Sequence, residues 1–145
     1  MNMHTASEVI SFAKKLESDS ARFYDILSQK YAQGSDVFPF LAKENGKNVV
    51  QVERSYYGVI TDAIEGCFAF DVEPDAYTFE TELAENASYA DALDKAIEIE
   101  KKMISFYSDA AEQSQSLMAD VPRVFKMIAK KRGNRVGELS LLLKR

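Results

Sequence analysis

The stretch Ala13-Lys14-Lys15-Leu16-Glu17, which runs on to Phe23-Tyr24, returns as Ala96-Ile97-Glu98-Ile99-Glu100, which runs on to Phe106-Tyr107. In both copies the aromatic pair begins six positions after the glutamate. A second pair of stretches follows in the same order: Leu41-Ala42-Lys43, Gly46 and Val49 match Ile128-Ala129-Lys130, Gly133 and Val136. Self-similarity on this scale marks a supersecondary unit used twice, here a helical hairpin.

At 145 residues the sequence fits a single domain, residues 1–145, with one core and no room for a second. Six Gly and three Pro leave little material for the turns of an all-β fold, and abundant Glu, Lys, Ala, Leu and Ser favour helix, so the expected class is all-α. The single cysteine, Cys67, makes no internal disulfide and no CxxC knuckle. That fits a reducing compartment, and the cytoplasm is expected. No apolar run approaches the roughly 18 residues of a membrane span, and no basic and apolar signal segment opens the sequence. A formal net charge of −5 argues against nucleic acid as a partner, although Lys126 to Arg135 is locally basic.

Apolar periodicity marks four long helices. The first is expected from about Ser7 to Ala32, opened by Thr5-Ala6-Ser7-Glu8 with capping-box spacing and closed by Gly34. The second runs from about Asp36 to Gly66, with Ser35 or Asp36 as N-cap and Pro39 tolerated in its first turn. A long crossover from Cys67 to about Ala87 carries Pro74 and the aromatics Phe68, Phe70, Tyr77 and Phe79. The third helix begins at a second capping box, Ser88-Tyr89-Ala90-Asp91, and ends near Gln115. The fourth begins at Asp120, with Pro122 in its first turn, and continues to the end of the sequence. Two hairpins joined by one long connection describe an up-down-down-up four-helix bundle.

The inward stripes of these helices are not wholly apolar. The first reads Ile10, Ala13, Glu17, Ser20, Tyr24, Leu27, and the third reads Leu93, Ala96, Glu100, Met103, Tyr107, Ala110. The second gives Phe38, Leu41, Asn45, Asn48 or Val49, Val52, Tyr56, and the fourth gives Val121, Phe125, Ile128, Arg132, Arg135 or Val136, Leu139. Isolated charges are almost never fully buried without partners, so polar residues at mid-height on all four stripes predict one shared layer.

Leu16-Glu17 to Phe23-Tyr24, Ile99-Glu100 to Phe106-Tyr107 and Phe40-Leu41-Ala42-Lys43-Glu44 make the chain resemble the rubrerythrin-like branch of the ferritin-like superfamily over nearly its whole length. The resemblance implies a ferritin-like four-helix bundle. In that branch the first and third helices each supply a Glu seven residues before a Tyr, the second and fourth each supply Glu-x-x-His, and all six converge on a di-iron centre. Glu17 and Glu100 match the ligand positions. The other four do not: in register they are Asn45 and Asn48 of Asn45-Gly46-Lys47-Asn48, and Arg132 and Arg135 of Arg132-Gly133-Asn134-Arg135. Sliding Glu44 into the ligand position turns it about 100° off the stripe and leaves Lys47 where a histidine belongs.

Charge shows what the replacement does. The family's ligand set would sum to about −4 before metal, whereas Glu17 and Glu100 against Arg132 and Arg135, with neutral Asn45 and Asn48, sum to zero. Guanidinium keeps its proton at accessible pH and has no lone pair, so it repels a metal and cannot ligate one. The expected site is therefore a polar network with bidentate arginine-carboxylate pairs, no catalytic residue, no metal and no cofactor. With the resemblance it implies a non-catalytic ferritin-like protein with a structural or binding role. Homo-oligomers are expected, a dimer first among them, with neither nucleic acid nor membrane as partner and the small-molecule or protein partner left open. The alternative is a rubrerythrin-type oxidoreductase that reduces peroxide or handles iron. It would hold iron or another divalent metal at a residual site of Glu17 and Glu100 with Glu53 or Glu138.

Each residue also has an ordinary reading. Lys130, Lys131, Arg132 and Arg135 can form a solvated basic face. Asn45-Gly46 is a turn signal, while Gly133 at the matched position suggests close helix contact instead. Tyr24, Tyr56 and Tyr107 read as core tyrosines bonded into the polar layer ahead of redox relays. His4 is expected in a disordered terminus, and Cys67 as a small buried hydrophobe at a helix end.

Overall fold

The computed structural model describes residues 2–57, 68–115 and 120–144. Strand β1 (Met3–Thr5) leads into helix α1 (Ala6–Lys30), and helix α2 (Val37–Tyr57) follows. Strand β2 (Phe68–Val72), helix α3 (Tyr89–Ser114) and helix α4 (Asp120–Leu143) complete the order. The protein is mostly helical, and the described helices pack chiefly as two pairs, α1 with α2 and α3 with α4. The predicted end of the second helix at Gly66, and Cys67, lie outside the described residues.

Both capping boxes form. Thr5 Oγ1 accepts the Glu8 N–H at 3.2 Å while a Glu8 carboxylate oxygen accepts the Thr5 N–H at 3.2 Å, and Ser88 and Asp91 exchange the same two bonds at 3.0 Å each. Each cap satisfies donors that a helix leaves unpaired in its first turn, worth about 1 kcal/mol. The Glu8 carboxyl is held below its usual range by the bonds from Thr5 and His4.

Two expectations about chain punctuation are corrected. Gly34 does not close α1 with a left-handed residue, since no described residue has positive φ. The helix ends at Lys30, Tyr31 turns extended, and a 3-10 turn, Ala32–Gly34, follows. Gly34 is needed because a Cβ there would run into the Phe38 ring. Nor do Gly46 and Gly133 mark close helix contact: both are exposed and nothing lies within 4 Å of where their Cβ atoms would be. Asn45-Gly46 does not break α2, which passes straight through it.

The crossover is more structured than the sequence suggests. β2 pairs antiparallel with β1, with Met3 opposite Val72 and Thr5 opposite Phe68. His4 is accordingly placed in a strand rather than in a loose terminus, its Nδ1 3.1 Å from the Phe70 carbonyl. Phe70 and Val72 are buried. Beyond them, Tyr31 OH donates to the Ala87 carbonyl at 2.6 Å, Tyr77 OH to Asp109 at 2.6 Å and Lys102 to the Thr78 carbonyl at 3.1 Å. These bonds hold residues 74–88 over the α1 and α3 side. Burial and the Asp109 hydrogen bond push the Tyr77 hydroxyl up to about 12.

All the inward stripe positions read from the sequence are buried, and where it left a choice Asn48 and Arg135 take the inner face while Val49 and Val136 are only partly covered. Aromatic clusters lie on both sides of the middle. Tyr24 stacks on Phe38 at 6.1 Å towards one end, and Phe12, Phe106, Tyr107 and Phe125 interlock at 5.1–6.2 Å towards the other. Each such side chain contributes on the order of 2 kcal/mol by burial. Among the described residues no helix is long and apolar enough to cross a membrane.

Candidate functional site

Between these aromatic clusters lies a closed polar layer. Glu17 and Glu100 face each other from α1 and α3, wholly inaccessible, and Arg132 from α4 lies between them, equally buried. Its Nη2 donates to Glu17 Oε1 at 2.6 Å and its Nη1 to Glu100 Oε2 at 2.7 Å. One guanidinium thus spans two carboxylates. The expected bidentate arginine-carboxylate pairing is not what forms, because Arg132 divides its two Nη atoms between the two acids.

The remaining carboxylate oxygens are also engaged. Tyr107 OH donates to Glu17 Oε2 at 2.6 Å and Tyr24 OH to Glu100 Oε1 at 2.7 Å. The tyrosines therefore cross: each comes from the helix that bears the other glutamate, and each approaches from a different aromatic cluster. Arg135 Nη1 reaches Glu100 Oε1 at 3.1 Å and Asn45 Oδ1 at 2.7 Å, while its Nη2 donates to the Leu41 carbonyl at 3.2 Å. The same guanidinium lies 5.9 Å from the Tyr24 ring centroid. Asn45 Nδ2 donates to the Glu17 backbone carbonyl at 3.0 Å, and Asn48 Nδ2 to Glu17 Oε1 at 3.3 Å.

All six residues singled out from the sequence therefore converge, and Tyr24 and Tyr107 join them as hydrogen-bonded core tyrosines. Tyr56 is buried on the same stripe. Lys131 was missed. It is partly exposed and donates to Asn48 Oδ1 at 3.0 Å, with Glu44 at 3.9 Å on its outer side. It sits beside Arg132 in a basic run, and nothing in that run separates the lysine that reaches inward from Lys130, which stays exposed. Glu53 pairs with Lys14 at 2.7 Å, and Glu138 is exposed. Among the described residues no three His, Cys, Asp or Glu side chains gather closely enough to hold a metal ion.

The electrostatics follow from burial and pairing. Burial pushes the Glu100 carboxyl up, but Arg132, Arg135 and the Tyr24 hydrogen bond together hold it below its ordinary value. Burial and then Glu100 push the Tyr24 hydroxyl well up, and burial and then Glu17 do the same for Tyr107. Burial disfavours the Arg132 cation, yet the adjacent Glu100 and Glu17 carboxylates more than restore it. Two glutamates and two arginines, whose formal charges cancel, therefore share the layer with the hydroxyls of Tyr24 and Tyr107. Three buried side-chain polar atoms have no hydrogen-bond partner among the described residues: Arg132 Nε, Ser20 Oγ and, on α2, Gln51 Oε1.

Comparison of the chain with protein-family models, with curated proteins and with solved structures gave no match.

The residues present do not fit a di-iron centre. Such a centre needs free carboxylate lone pairs and neutral imidazoles converging on open space. Here a guanidinium fills that space, both glutamates are bonded to it, and no histidine lies on the four stripes.

Proposed function

We propose that this chain is a non-catalytic, ferritin-like four-helix bundle of the rubrerythrin-like kind, in which an arginine-carboxylate-asparagine layer stands where relatives of that kind carry a di-iron ligand set. Its role is structural or partner-binding, it self-associates as a homodimer, and it works in the cytoplasm. The observation that carries this reading is Arg132 bridging Glu17 and Glu100 at the centre of four buried stripes. An acid pair neutralised by its own chain has no charge left to attract a metal, and a metal would have to expel a buried arginine to reach it.

The test is metal content together with reversal of the replacement. Protein purified without chelator should hold well under one equivalent of iron, manganese or zinc, and Fe(II) with oxygen should produce no oxo-bridge absorbance. Near-stoichiometric iron would overturn the reading. The combined variant Asn45→Glu, Asn48→His, Arg132→Glu, Arg135→His restores Glu-x-x-His on α2 and α4, so its melting temperature should climb with Fe(II) or Mn(II) concentration. A folded variant that ignores both ions would mean that the family register is wrong.

A further inference from the structure

We propose that the space between Glu17 and Glu100 is a binding site for one planar, delocalised cation, and that the chain fills it in cis with the head group of Arg132. This rests on the geometry of the layer and stands apart from the family reading. The walls of the site are held without Arg132. Tyr107 and Asn48 fix the Glu17 carboxylate, and Tyr24 and Arg135 fix that of Glu100. The recognised part of Arg132 is its outer edge, since both ion pairs use Nη atoms while Nε has no partner. A free guanidinium ion presents the same pair of donors without the tether.

Charge selects the valence. With Arg132 removed, Glu17, Glu100 and Arg135 leave a formal charge of −1, which one monovalent cation cancels and a divalent ion oversteps. The Tyr24 and Tyr107 hydroxyls already donate to the carboxylates, so the position left open calls for a donor of hydrogen bonds and takes no further acceptor.

The experiment is thermal unfolding of full-length Arg132→Ala, followed by far-ultraviolet circular dichroism, in guanidinium chloride up to about 50 mM. Sodium chloride and manganese(II) chloride at matched ionic strength are the comparators. At ten times its dissociation constant, guanidinium should raise the melting temperature of the variant by about 4 °C and that of the parent, whose site is filled, not at all. If the variant is unfolded without the ion, recovery of helix on the same titration is the signal. Glu100→Gln combined with Arg132→Ala leaves a neutral layer and should fold without responding to guanidinium. Equal stabilisation by sodium chloride, stabilisation by manganese alone, or a folded double variant beside an Arg132→Ala chain that guanidinium neither stabilises nor refolds would each overturn the proposal.

Discussion

The two hairpins bring the same acid and the same phenol to the centre of the protein and set opposite charges beside them. α1 and α2 contribute Glu17, Asn45 and Asn48, a formal sum of −1, while α3 and α4 contribute Glu100, Arg132 and Arg135, a sum of +1. Where the copies agree, their bonds mirror each other: Tyr24 to Glu100 at 2.7 Å, Tyr107 to Glu17 at 2.6 Å. Where they differ, they complement each other. Two copies of the first hairpin would bury −2 and two of the second +2, and an uncompensated buried charge costs several kcal/mol. Only the mixed pair is neutral, so divergence at two matched positions makes each hairpin require the other.

Replacing matched residues shows how far that inequality goes. Arg132→Leu strips both acids of their shared cation and should cost roughly 5 kcal/mol in urea unfolding, whereas Asn45→Leu at the matched position breaks neutral-amide bonds and should cost about 2 kcal/mol. Equal costs would make the hairpins equivalent and the complementarity idle. Glu17→Gln combined with Arg132→Leu should cost less than the sum of the two changes, because the second no longer strands the first.

The charged half of the layer should also govern acid sensitivity. Because Glu100 titrates below its ordinary value in the folded state, its contribution is present above the unfolded carboxylate value of about 4.3 and is lost as pH falls from there through the folded value. Urea midpoints should therefore fall as the pH is lowered below about 5, and less so in Glu100→Gln. The mirrored half governs the alkaline limb. Tyr24 and Tyr107 titrate above their ordinary value when folded, so their contribution is complete below the unfolded value of about 10 and is lost as pH rises beyond it towards the folded values. Tyr24→Phe and Tyr107→Phe should each cost about 1.5 kcal/mol at neutral pH, agree within about 0.5 kcal/mol, and blunt the alkaline loss. A large difference between the two would mean that the symmetry of the acids does not extend to their phenols.

The smallest effects concern the matched glycines. Gly46→Ala and Gly133→Ala enter open space on exposed helix and should each stabilise by up to about 1 kcal/mol. Gly34→Ala, which meets the Phe38 ring, should instead destabilise by about 1–3 kcal/mol.

These contrasts also mark what the sequence could disclose. Helical periodicity with a repeated register places side chains by rotation alone, which is why the sequence puts Glu17, Asn45, Glu100 and Arg132 in the interior. Rotation says which way a residue points but not which atom meets which. The single arginine spanning two acids, the crossed tyrosines and the inward reach of Lys131 depend on helix spacing and side-chain length across three or four elements. Glycine is hard to read for a related reason. Gly46 and Gly133 repeat in register, but a residue without a side chain carries no sign of what lies beside it, and the glycine that does relieve crowding, Gly34, has no counterpart in the second hairpin. β2 was hidden because its pairing is with Met3–Thr5, some 65 residues earlier in the chain, and a three-residue partner leaves no periodic signal.

The bond between Glu17 and Arg132 joins residues 115 positions apart, and that separation bears on time as much as on energy. Contact order predicts that the local α1 and α2 pair forms before Arg132 reaches Glu17, and an early hairpin of that kind would have to keep the acid near water. Closing so long a loop falls late in folding. Losing the bond should therefore leave the folding rate of Arg132→Leu nearly unchanged and speed its unfolding, making the layer a latch on the finished molecule and not a guide to its formation.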